Sequence, residues 1–213
     1  MAIIKKKNSN MFTGLIGPMI MATWKGILYA RARPRKSTVK KEGTPAQLAA
    51  RGKFRYLHQF LIPFHPFITV GFSGKAVNKT EINVAFSTNY HSAVMGVYPD
   101  LSMDYSRLRI SAGKLEGLIA PKLSCSSSGL VEISWKTEAT RRGGYNDHLM
   151  LVLYSEVHKK TDGFVGHAQR SDRYGSFPIR EEMQKGRIHV YVSFASQNRR
   201  LASDSQYLGV LEF

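Results

Sequence analysis

The sequence predicts a mainly β protein with two helices, α+β overall. It reads as an N-terminal hairpin and two amphipathic helices followed by an antiparallel β-sandwich. Three observations carry this reading. After Pro99 the apolar residues alternate with period two, as in Val131, Ile133 and Trp135 or Ile188, Val190, Val192 and Phe194, in runs punctuated by Gly113, Gly129, Gly143-Gly144, Gly163 and Gly186. Two earlier stretches keep helical spacing. Before them, two short apolar runs face each other across Lys25-Gly26. The expected organisation is a basic arm, hairpin and two-helix region over 1–104 and a sandwich over 105–213.

Taken in order, Met1–Asn10 reads as a basic coil arm, because Lys5, Lys6 and Lys7 repel one another and Asn8-Ser9-Asn10 favours turns. Ile20–Trp24 and Ile27–Arg31 form the hairpin, one face carrying Trp24, Ile27 and Tyr29. Arg31 and Arg33 continue that alternation to Pro34, which discourages helix in the crossing that follows. Thr44-Pro45-Ala46-Gln47 is a helix start: a Thr cap, Pro at the first helical position and Gln at the third. The helix is expected over Pro45–Leu61 with Ala50, Phe54, Leu57 and Leu61 on its apolar face, and Pro63 and Pro66 ending it. A second helix is expected from Thr80, with Ile82, Phe86, Tyr90, Ala93 and Val97 on one face, His91 packed beside it, and Gly96 and Pro99 closing it.

Eight strands are expected afterwards: Arg107–Ala112, Pro121–Cys125, Leu130–Lys136, His148–Val157, Phe164–Arg170, Tyr174–Ile179, Arg187–Ser196 and Gln206–Phe213. Within them, Gly129–Trp135 resembles the second strand of an immunoglobulin or fibronectin type III domain, where a Trp seats the core. Phe177-Pro178-Ile179 and Gly186–Val192 are similar to the turn and aromatic strand near the end of such domains, and Ser203 and Ser205 before the last strand fit as well. This resemblance covers roughly Tyr105–Phe213 and implies a fold, not a function.

A second resemblance spans the chain. Gly14–Gly17, Trp24-Lys25-Gly26, Arg33-Pro34, Thr44–Gln47 with Arg51 and Phe54, Gly71-Phe72, and Tyr98-Pro99 with Asp104-Tyr105 are similar to a poorly characterised Bacteroidota family of basic proteins. Arg-Pro followed by Thr-Pro-Ala-Gln and Arg also resembles segments of small phage-encoded basic proteins.

The charge distribution points to a partner. The chain carries 31 basic and 15 acidic residues, net +16. Residues 1–60 hold 13 of the basic residues and a single acid, Glu42, so the excess belongs to the N-terminal quarter. The residues expected to meet an anionic partner, nucleic acid included, are Lys25, Arg31, Arg33, Arg35, Lys36, Lys40, Lys41, Arg51 and Arg55; Trp24 and Tyr29 lie near enough to stack but are expected as core residues.

No reaction is written in the sequence. There is no glycine-rich phosphate loop, nucleophile elbow or paired zinc-ligand spacing, so no enzyme and no cofactor are expected. Cys125 is the only cysteine, which excludes an intrachain disulfide, and it reads as an idle thiol. His158, Asp162 and His167 lack a further ligand for a metal. Asp147-His148 and Glu181-Glu182 read as surface or turn residues. No secretory signal or membrane span is seen, so a cytoplasmic or particle-bound location is expected. The expected function is a non-enzymatic assembly protein that forms a homo-oligomer, the alternative a sequence-nonspecific nucleic-acid binder.

Overall fold

The computed structural model describes residues 2–3, 13–24, 26–35, 43–126, 129–137 and 144–213, and divides the chain into two units, Met1–Gly43 and Thr44–Phe213. In the first unit, β1 (Ala2–Ile3), β2 (Gly14–Ile16), β3 (Met19–Trp24) and β4 (Ile27–Ala32) form an antiparallel sheet of order β1-β4-β3-β2. The hairpin is found where the sequence places it. Trp24 sits opposite Ile27, and Gly26 takes the positive φ of 76° that so tight a turn demands. The coil arm expected over Met1–Asn10 is corrected at its start, since Ala2 and Ile3 pair with Ala30 and Tyr29. Residues 4–10 lie outside the described residues. Direct cross-strand partners share a face, so Leu15, Ile20, Trp24, Ile27, Tyr29 and Arg31 line one side of this sheet. None of the unit's described side chains is buried.

The second unit begins with α1 (Pro45–Leu61). Its capping box is complete: Gln47 N–H donates to Thr44 Oγ1 at 3.3 Å, and Thr44 N–H donates to Gln47 Oε1 at 3.2 Å. Pro63 and Pro66 do not end the helical run. Each falls in the first turn of a new segment, a 3-10 turn over Ile62–Phe64 and then α2 (His65–Gly71), where a missing N–H removes no bond. The expected pair of helices is thus corrected to one helical run of 27 residues, Pro45–Gly71, interrupted by a 3-10 turn, and a separate 12-residue α3 (Glu81–Ser92). Helix α3 stops four residues before Gly96, because Val94–Val97 (β5) and Asp100–Met103 (β6) form a hairpin around Tyr98-Pro99.

Three expected packing residues are also corrected. Phe54 is half exposed against Phe86, Val97 lies out at the hairpin, and His91 is exposed with its ring edge-on to Tyr90. The buried residues of α3 are Ala85 and Asn89, and Ala93, buried as expected, follows at its C-terminal cap. Asn89 donates to Ala85 O and Arg109 O and accepts from Arg109 N–H, which explains how a buried amide is tolerated.

Seven of the eight expected strands are present, with ends shifted by a few residues: β7 (Ile119–Cys125), β8 (Leu130–Lys136), β9 (His148–Ser155), β10 (Lys160–Gln169), β11 (Tyr174–Pro178), β12 (Arg187–Ala195) and β13 (Gln206–Glu212). The exception is Arg107–Ala112, which is irregular after a 3-10 turn at Tyr105–Arg107. Its bonds go to Asn89, to Gly71 O, and to Ser203 and Ser205 rather than to a neighbouring strand. The strands form two antiparallel sheets, β11-β8-β7 and β10-β9-β12-β13.

Both faces of the larger sheet are buried. Leu149, Leu151 and Leu153 of β9 and Ile188, Val190, Val192 and Phe194 of β12 meet Val131, Ile133 and Trp135 of β8 in one core. Met150, Val152, Tyr154 and Tyr191, on the opposite face, meet Leu57, Leu61, Phe64, Ile68 and Phe72 of the helices in a second. The layers are helix, sheet, sheet. Residues 44–104 therefore share a core with the strands, and the chain divides near Gly43 rather than at 104. Asp147, expected at the surface, is buried and pairs with Arg170 at 3.2 Å. The Arg170 guanidinium also lies 3.9 Å from the Phe194 ring centroid. Glu181 and Glu182 are exposed in a 3-10 turn, as expected.

Candidate functional site

The basic residues singled out by sequence fall in different units. Arg31, Arg33 and Arg35 belong to the first, all exposed at the end of β4, where Arg33 N–H extends the hairpin by donating to Pro18 O at 2.8 Å. Arg51 and Arg55 belong to the second, one turn apart on α1. With Phe54, His58 and Gln59 they line a shallow concavity. Lys25, Lys36, Lys40 and Lys41 lie outside the described residues.

A better-formed site lies where α1 meets the rim of the larger sheet, and sequence reasoning missed it. Helical spacing sets Tyr56, Gln59 and Phe60 on one side of α1. Thr161 Oγ1 donates to Pro63 O at 2.6 Å and ties the end of the helix to the start of β10. The β9–β12 register sets Tyr154 opposite His189, on the face toward the helices. Asp104 caps the 3-10 turn that carries Tyr105, accepting from Ser106 N–H at 3.0 Å and Ser106 O–H at 2.6 Å. The Tyr105 ring then stacks on His189 with centroids 3.8 Å apart. Tyr56, Gln59, Phe60, Tyr105 and Tyr154, together with Pro63, Glu156 and Lys159, line an open cavity of about 350 Å³.

A hydrogen-bonded row starts from Glu156 in its lining. An ionised carboxylate only accepts, so His189 carries its proton on Nε2 and donates to Glu156 Oε1 at 2.6 Å. Nδ1 is paired with the Tyr207 hydroxyl at 2.9 Å. Both ring nitrogens are thereby used and the ring is covered by Tyr105, so the row orients Glu156 rather than offering a base to a substrate. Burial, then the Glu156 carboxylate, pushes the Tyr105 phenol up to about 12. Burial raises Tyr154 above the usual phenol range and also raises Tyr56. The lining phenols therefore stay protonated, able both to donate and to accept.

The other chemical candidates resolve into structure. Arg180 pairs with the buried Asp162 at 2.9 Å, and His167 lies against Phe164. Among the described residues no group of three His, Cys, Asp or Glu is placed to hold a metal ion. Burial raises the Cys125 thiol, making it a poorer nucleophile. No helix among the described residues is long and apolar enough to cross a membrane.

One family model matches, described as a family of unknown function (DUF6266), over residues 11–209. The chain belongs to this family. The DUF6266 match runs across both units, so the basic sheet and the layered unit occur together within it. No curated protein and no solved structure matches the chain.

Proposed function

We propose that this DUF6266 protein is a non-enzymatic assembly protein that self-associates through its N-terminal sheet and meets an anionic partner through its basic residues. One observation carries the reading: a four-stranded sheet whose described side chains all remain at least partly exposed, Leu15, Ile16 and Met19 by about half. A sheet of this size needs a hydrophobic face covered to be stable. A second copy is the simplest cover, and the short strands β1 and β2 at its edges leave room for strand addition.

In this reading the seven strands of residues 119–212 are an immunoglobulin- or fibronectin III-like scaffold. The distribution of strands supports it: first, second and fifth in one sheet, third, fourth, sixth and seventh in the other. A cytoplasmic or particle-bound location goes with the same reading.

Light scattering across a concentration series, with Leu15→Lys and Ile27→Lys as variants, tests the assembly. Concentration-dependent oligomers that both variants dissolve are expected; a monomer throughout rejects it.

The alternative, a sequence-nonspecific nucleic-acid binder, draws on the exposure of Arg31, Arg33 and Arg35 along one short segment. Binding to mixed duplex DNA should then weaken with salt by a log–log slope of about −0.9 per phosphate met. Arg31→Gln with Arg33→Gln should reduce that slope by about two. Absence of binding at low salt rejects this reading.

A further inference from the structure

We propose that the cavity between α1, Tyr105 and the end of β9 binds a neutral polyhydroxylated ring, that is, a saccharide unit. This site belongs to the second unit alone and does not depend on the assembly reading. Its volume, about 350 Å³, falls within the range of small-ligand pockets.

The strongest observation is a set of polar groups with no protein partner. Tyr154 is 4% exposed, yet its hydroxyl, at the cavity wall, has no hydrogen-bond partner among the described residues. The hydroxyls of Tyr56 and Tyr105, the Gln59 amide and the Lys159 ammonium, all more accessible, likewise make no hydrogen bond to a described residue. Gln59 and Lys159 are exposed and Tyr56 and Tyr105 half-buried around this open cavity, so these groups stand free to bond one ligand together.

Charge selects the ligand class. Glu156 and Lys159 are the charged groups of the lining and they cancel. A cation would find one carboxylate, already accepting from His189, in a unit that holds 21 basic against 14 acidic side chains. An anion would have to sit beside that carboxylate. A neutral ligand pays neither cost.

Hydrogen-bonding character narrows the class further. Phenols and an amide both donate and accept, the carboxylate accepts and the ammonium donates. Ring hydroxyls of a sugar offer the same mixture, while its C–H face packs on aromatic rings such as Phe60 and Tyr105. The His189 row holds Glu156 in place for this, with Oε1 engaged and Oε2 left for the ligand.

Isothermal titration and saturation-transfer NMR on the full chain test the proposal. The probes are glucose, galactose, mannose, N-acetylglucosamine and their methyl glycosides, with choline and acetate as charged controls. At least one saccharide should bind with Kd of about 0.1–10 mM. Tyr154→Phe removes only a hydroxyl without a protein partner, so it should keep the wild-type melting temperature while weakening binding about five- to tenfold. Gln59→Ala should weaken it as well. The proposal is overturned if no saccharide binds at about 50 mM, if binding is unchanged in both variants, or if choline or acetate binds the cavity in preference.

Discussion

Among the described residues, two four-stranded antiparallel sheets stand in opposite situations. The sheet β10-β9-β12-β13 is covered on both faces, and eight consecutive residues of β12, Ile188–Ala195, are buried. The sheet β1-β4-β3-β2 buries none of its described side chains. Charge follows the same division: residues 1–43 carry ten basic side chains against Glu42 alone, while the remainder carries 21 against 14. Strand pairing alone does not make a core. A sheet becomes one when further apolar layers come from the same chain, and otherwise its surface is available to something else.

The largest expected effect would break the covered side of this comparison. Arg170→Ala would leave Asp147 buried without its partner and remove the bonds to Glu116 O and Gly117 O. Urea unfolding should show a loss of about 3–5 kcal/mol, whereas a loss near zero would mean that water already reaches the pair. A sharper contrast comes from one kind of truncation made in each sheet. Leu151→Ala, between the two sheets of the second unit, should cost about 2–5 kcal/mol in the same experiment. Ile20→Ala in β3 should change the unfolding of a dilute sample by only about 0.5 kcal/mol. Equal losses would erase the distinction between the sheets.

A small, pH-dependent effect concerns the turn that carries Tyr105. Hydrogen bonding from Ser106 holds the Asp104 carboxyl below its usual value of 3.8, despite the opposing effect of burial. A carboxyl depressed on folding stabilises above its unfolded pKa, and that stabilisation is lost as pH falls through the folded value. Asp104→Ala should therefore cost about 1 kcal/mol at neutral pH. The gap from wild type should close as acid titrations pass below 3.8. A gap independent of pH would show that the capping carboxylate is not its source.

Local chemistry made much of the fold legible. Thr44-Pro45-Ala46-Gln47 marks the start of α1 through bonds made within four residues, and seven strands follow from alternation and glycine punctuation. The prolines misled because their effect depends on where a segment begins, and Pro63 and Pro66 each open a new helical turn. The division at residue 104 failed for a reason visible in β9. HLMLVLYS is nearly continuous in apolar residues, the signature of a strand buried on both sides, so a second layer had to cover it. The basic positions were plain to read, but the cavity was not. Tyr56, Tyr105, Tyr154 and Glu156 are scattered over about a hundred residues, and none stands in a motif.

By itself, the sequence determined most of the elements, the hairpin turn at Gly26, the capped start of α1 and the concentration of positive charge before residue 60. These rest on contacts between near neighbours or on composition. Tertiary structure alone decided which sheet becomes a core and which stays open, that Asp147 and Arg170 are buried together, and that phenols and a carboxylate meet around one cavity. Those outcomes depend on pairings between distant segments, and a one-dimensional pattern records that a face is apolar without naming what will cover it.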